Sequence, residues 1–208
     1  MLDWAGQHLI EIFGAITGII YVFLEIRQNI FLWPLGIITS GVYMYVFRDN
    51  GFYAGMLLQS YYLIISVYGW YAWSKGKKHN QAAEAQEIID PADKDPGGEL
   101  PVKRINLRTA VNSFLTALAL WMFLWFVLDR WTDSPMPLWD GLITSLSVVA
   151  TWMLTRKILE QWHVWIIANF IAVIVYLVAA MYPTAVLFGV YLIMAVAGLR
   201  EWRKKLPE

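Results

Sequence analysis

Long apolar runs, broken by short polar turns, dominate this chain. A spanning helix needs about 20 mostly apolar residues. The pattern predicts seven such helices, over 9–26, 30–47, 52–73, 110–128, 139–154, 162–181 and 184–199. The breaks carry turn chemistry: Arg-Gln-Asn at 27–29, Arg-Asp-Asn-Gly at 48–51 and Tyr182-Pro183. One polar stretch is long. Residues 76–109 include AEAQEIIDPADKDPGGELP, too rich in Glu, Asp, Pro and Gly to bury a core. A mobile linker is expected there, with one helical turn near 82–88.

The third apolar run returns near the end of the chain. YAGMLLQSYYLIISVYGWYAWSK (53–75) and YPTAVLFGVYLIMAVAGLREWRK (182–204) align without a gap at an offset of 129 residues. Tyr53, Leu58, Tyr62, Leu63, Ile64, Val67, Gly69, Trp73 and Lys75 all recur in the second copy. A spanning helix duplicated in one orientation is characteristic of transporters built from parallel repeats. The other helices match more weakly, and pairing Trp33 with Trp165 requires a gap. The expected fold is an all-α membrane protein of seven transmembrane helices in a 3+1+3 arrangement. Residues 1–75 form one three-helix repeat and 76–109 the linker. Residues 110–129 form a connecting helix, and 137–208 the second repeat with a basic tail. The single connecting helix returns the chain to the starting side, so the two repeats run parallel.

Charge assigns the sides. With seven spans, 14 of the 16 Lys and Arg residues fall on one face; Arg48 and Arg130 lie on the other. The positive-inside bias makes the first face cytoplasmic, with the N-terminus outside and the C-terminus inside. Composition agrees with a membrane protein. The chain is 59% hydrophobic and 15% charged, against roughly 45–50% and 25% in soluble domains. Zero net charge leaves no basic excess for nucleic acid. There is no Cys, which removes disulfides and thiolate metal sites. His8, His79 and His163 are scattered, so no metal cluster is expected. The chain lacks HExxH, GxSxG and a phosphate-binding glycine loop. No cofactor is expected, and the chain does not read as an enzyme.

Three strings, IEIFGAITGIIYVFLE (10–25), YAGMLLQSYYLIISVYGWYAWS (53–74) and PLWDGLITSLSVVATWMLTRKILEQWHVWIIAN (137–169), resemble the PnuC family of bacterial vitamin transporters. The resemblance implies a fold like that of the SWEET sugar carriers, a homotrimer in the bacterial inner membrane, and facilitated diffusion of nicotinamide riboside. It also implies functional coupling to a cytoplasmic kinase that traps the vitamin. Thiamine and riboflavin are the alternative cargoes. A rival of another class is a non-transporting membrane protein that docks partners through the linker.

A site for nicotinamide riboside must hold a flat pyridinium cation, an amide and a ribose. Aromatic faces suit the cation, at about 0.5–2 kcal/mol per contact. Side-chain amides suit the carboxamide and hydroxyls without burying net charge. Gln59 and Asn169 are the two amides deep within predicted helices, and the resemblance places a substrate-contacting Gln at Gln59. Hydrogen bonding that glues helices together is the competing role for both. Tyr62 shares a helix face with Gln59. Trp33, Tyr43, Trp162, Trp165 and Tyr191 are further stacking candidates, with helix packing an equal alternative. Glu25 is expected to pair with Arg27 or with Arg156 and Lys157, as a lock or gate on the cytoplasmic face.

Overall fold

Among the described residues the apolar runs become seven helices. The computed structural model describes residues 2–49, 53–85, 100–132 and 134–206, with backbone alone at 2–11, 47, 49, 53–55 and 76–85. The helices are α1 (Leu2–Ile26), α2 (Leu32–Asp49), α3 (Tyr53–Ala85), α4 (Leu107–Trp131), α5 (Pro137–Thr155), α6 (Gln161–Val178) and α7 (Tyr182–Arg203). Among the described residues there is no strand, and one isolated bridge pairs Lys103 with Ile158. Among the described residues four helices, α4 to α7, are long and apolar enough to cross a bilayer. The described parts of α1 and α2 give shorter apolar helices, Ile12–Ile26 and Leu32–Val46. α3 has 33 residues, about 50 Å at 1.5 Å per residue, and is rich in Tyr and Trp.

The chain divides into two compact units, Met1–Pro101 and Val102–Glu208. In the first, α2 packs against both α1 and α3. In the second, α6 packs against both α5 and α7, and α4 lies along α5. α4 buries none of its residues. Its seam with α5 is close: a Cβ on Gly141 would lie 3.0 Å from the Trp125 backbone N, and Trp121 Nε1 donates to the Leu138 carbonyl at 2.9 Å.

The two units share their turn and their central pin. α1 ends with Gln28 in the left-handed region (φ 55°), and α5 ends with Lys157 there (φ 49°). The bonds at both ends close a Schellman motif. Gln28 N–H donates to Glu25 O at 3.0 Å and Asn29 N–H to Leu24 O at 2.8 Å. Lys157 N–H donates to Leu154 O at 3.0 Å and Ile158 N–H to Met153 O at 3.1 Å. These residues match at the same offset of 129. Arg27 then matches Arg156, and each guanidinium lies over a ring one turn back, Phe23 at 5.4 Å and Trp152 at 4.7 Å. Neither turn uses glycine, although a left-handed non-glycine residue costs about 1–2 kcal/mol. Ala180 (φ 59°) repeats the device between α6 and α7.

Five residues after each turn stands a buried Trp. Trp33 meets Trp73 edge-on at 5.4 Å and 89°; Trp162 meets Trp202 at 5.6 Å and 84°. Each indole lies in a notch left by a glycine, Gly69 for Trp33 and Gly198 for Trp162. A Cβ at either glycine would collide with the six-membered ring. The counterpart of Trp33 is therefore Trp162, ungapped, and not Trp165. The three-residue spacing of the two tryptophans on α6 hides this register from sequence alignment.

The 76–109 stretch is structured at both ends. α3 continues through its first part to Ala85, and the remainder of the expected turn at 82–88 lies outside the described residues. The far end is strapped to the α5–α6 turn. Lys103 N–H donates to Lys157 O at 3.1 Å, and Leu159 N–H donates back to Lys103 O at 2.9 Å. Ile105 N–H donates to Glu160 Oε2 at 2.8 Å. Val102 is buried, and Ile105 packs on Val149, Met153 and Ile158. Asn106 then caps α4, its Oδ1 accepting from Thr109 N–H at 2.7 Å.

Gly69→Ala and Gly198→Ala will each destabilise the protein by about 1–3 kcal/mol, as overpacking does, seen as a lower melting temperature in detergent. Glu160→Ala will leave the Ile105 N–H without its acceptor, at a cost of about 1–3 kcal/mol. Limited proteolysis should then cut faster at Lys103 and Arg104.

Candidate functional site

The expected site residues fall into three groups. The first is the pair of central tryptophans. Trp33 and Trp162 are 0% and 1% exposed, and stacking on a substrate needs an open ring face. Both are packing residues, with each ring surrounded by its glycine notch and the neighbouring Trp. Of the two roles expected for them, stacking and helix packing, their burial fits packing.

The second group fills space that the two units apportion differently. Tyr43 on α2 brings its hydroxyl against Gly14 of α1, with its ring 6.5 Å from Phe13. At the same offset Gly14 and Tyr43 become Ile143 and Ala172, so the bulk moves from the second helix to the first. A second exchange involves three helices. A Cβ on Gly36 would lie 2.7 Å from Ser66 Oγ and 3.2 Å from Tyr21 Cε2. The counterparts of Tyr21, Gly36 and Ser66 are Ala150, Trp165 and Ala195. Both alanines are buried, and the bulk sits on α6. Trp165 is half-buried, and its Nε1 has no hydrogen-bond partner among the described residues.

The third group is Gln59, Tyr62, Asn169 and Tyr191. Gln59 is half-buried on α3, six residues from its start and hence about 9 Å along it. Tyr62 is also half-buried, with its ring 5.5 Å from that of Tyr61. Asn169 is 6% exposed, about 12 Å along α6. Tyr191 sets its ring against Phe188 at 5.8 Å and 85°, and Phe188 stacks on Tyr176 at 5.2 Å and 28°. Phe188 is the counterpart of Gln59, and Tyr191 of Tyr62. An aromatic ring thus stands in one repeat where an amide stands in the other.

At the turns, Glu25 and Lys157 are buried at 2% and 1% exposure, while Arg156 is exposed. One residue carries no motif: Gln161, at the head of α6, reads in the sequence as an ordinary flanking polar residue. It is 0% exposed, and neither its Oε1 nor its Nε2 has a partner among the described residues. The available signal in the sequence is its register counterpart, Leu32.

Among the described residues no group of His, Cys, Asp and Glu is placed to hold a metal. Comparison with known proteins adds the following. The sequence profile described as nicotinamide mononucleotide transporter matches residues 8–204. The nicotinamide riboside transporter PnuC of Escherichia coli K12 is 28% identical, over 93% of this chain and 84% of that protein. The riboflavin/roseoflavin transporter RibM of Streptomyces davaonensis is 23% identical, over 94% of this chain and 86% of that protein. A crystal structure of the vitamin B3 transporter PnuC superposes with a TM-score of 0.67 at 22% identity, covering 93% of this chain and 80% of that one. At that identity the likeness speaks for the fold alone.

Trp33→Ala and Trp162→Ala will each cost about 3–5 kcal/mol of stability, as emptying a buried Trp site does. Size-exclusion profiles and thermal melts will show the loss even without ligand.

Proposed function

Since this chain belongs to the nicotinamide mononucleotide transporter family, a family of multi-pass membrane transporters and not of enzymes, we propose that it carries nicotinamide riboside across the bacterial inner membrane. The observation that carries this reading is the match to nicotinamide riboside transporters along more than nine-tenths of the chain. The internal repeat supports the mechanism. Two three-helix repeats with the same turn and the same Trp pin suit a 3+1+3, SWEET-like fold that works by alternating access. The N-terminus lies outside and the C-terminus in the cytoplasm, following the charge bias. The protein works as a homotrimer by facilitated diffusion, with a cytoplasmic kinase drawing the vitamin inward.

Gln59, Tyr62, Asn169, Trp165 and Tyr191 are the groups offered to the substrate. The amides read the carboxamide and ribose, and the rings face the pyridinium. Glu25, Lys157 and Arg156 mark the cytoplasmic turns where a gate would act. The alternative cargo, riboflavin, takes its support from the RibM relative at lower identity.

Calorimetry on the purified protein with nicotinamide riboside, thiamine and riboflavin tests the cargo. Nicotinamide riboside alone is expected to bind; preferential binding of either other vitamin overturns the choice. Gln59→Ala should weaken that binding about tenfold, the cost of leaving a polar partner unmet, with oligomer size unchanged.

A further inference from the structure

Gln161, Trp165 and Asn169 are spaced i, i+4, i+8 on α6 and so share one face of the helix. Two members of this row already belong to the proposed substrate site. The third is the fully buried Gln161, whose amide has neither donor nor acceptor satisfied among the described residues. Trp165 Nε1 shares that condition. Buried polar groups in proteins are almost always paired, so an exception calls for a reason.

Packing does not supply the reason. The same fold is built twice in this chain, and at the matching place on α2 the residue is Leu32, 0% exposed. The turn before it, the Trp after it and the glycine notch facing that Trp are the same in both copies. The matching row on α2 is Leu32, Gly36 and Ser40, with no amide. An apolar side chain therefore serves this site structurally, and the amides of the row are particular to α6.

From this we infer that Gln161 is a specificity-determining residue on the substrate path, and that it recognises a primary carboxamide. An amide with both its oxygen and its nitrogen open pairs with another amide through two antiparallel hydrogen bonds, donor to acceptor and acceptor to donor. A carboxylate offers no donor to the Gln161 oxygen. The side chain is closed off in this conformation, so it meets the ligand when the α5–α6 end of the bundle opens. That end carries the cytoplasmic turn in the proposed topology, which makes Gln161 a station after Asn169 and Trp165 on the way in. The inference rests on the transport reading above.

The test compares wild type with Gln161→Leu, a copy of the residue at position 32, and Gln161→Met. Each is reconstituted in proteoliposomes and assayed by counterflow with nicotinamide riboside and with nicotinic acid riboside, which has a carboxylate in place of the carboxamide. Wild type is expected to prefer the carboxamide. Both variants should lose about tenfold in apparent affinity for nicotinamide riboside, leave the carboxylate analogue unchanged, and melt no lower than wild type. If wild type carries nicotinamide riboside and the variants carry it equally well, this inference fails alone. If both variants melt lower, the amide has a structural task and the inference again fails. If wild type carries neither nucleoside, the transport reading fails and takes the inference with it.

Discussion

An indole ring set into a glycine notch is the contact on which each unit depends. Between spanning helices there is no gain from removing apolar surface from water, because lipid is as apolar as the helices themselves. Close packing has to supply the specificity. Trp33 against Gly69 and Trp73, and Trp162 against Gly198 and Trp202, do this in the same way twice. The left-handed turn five residues earlier aims the second helix of each repeat so that its Trp meets the notch. The turn and the pin are one device, with the turn setting the angle and the ring setting the distance.

Around that shared device the repeats diverge by exchanging volume. Tyr21, Gly36 and Ser66 stand where the second repeat has Ala150, Trp165 and Ala195, and Gly14 with Tyr43 stands where it has Ile143 with Ala172. The exchange at Gly14 and Tyr43 conserves bulk, that at Tyr21, Gly36 and Ser66 adds some, and both change which helix carries it. Interiors tolerate such volume-conserving rearrangement far better than isolated changes. Matched positions can therefore carry different chemistry, an amide at Gln59 where the offset of 129 places Phe188.

Much of this was legible in the sequence. The apolar runs foretold the seven helices seen among the described residues, and α3 recurs in α7 without a gap in the sequence itself. The fold of the relatives and the family match agree with the membrane-transporter reading. Three features were hidden. The turns use Gln28 and Lys157 in a conformation that normally advertises itself through glycine. The buried Trp pair was masked by the second tryptophan on α6, which offered a false register. The lack of a partner for the Gln161 amide among the described residues has no local signature, because pairing is a property of neighbours in space. The linker misled by composition: 76–85 continues α3 as helix, and 102–105 finds its hydrogen-bond partners some 55 residues later, at Lys157 to Glu160.

That strap also orders the birth of the second unit. Ile105 and Glu160 are 55 residues apart in the chain, with α4 and α5 between them. At about 5–20 residues per second, several seconds separate the synthesis of Ile105 from that of the turn that receives it. The Asn106 cap is local and can form as soon as the first turn of α4 exists, whereas the strap cannot close until α5 and the turn after it have followed.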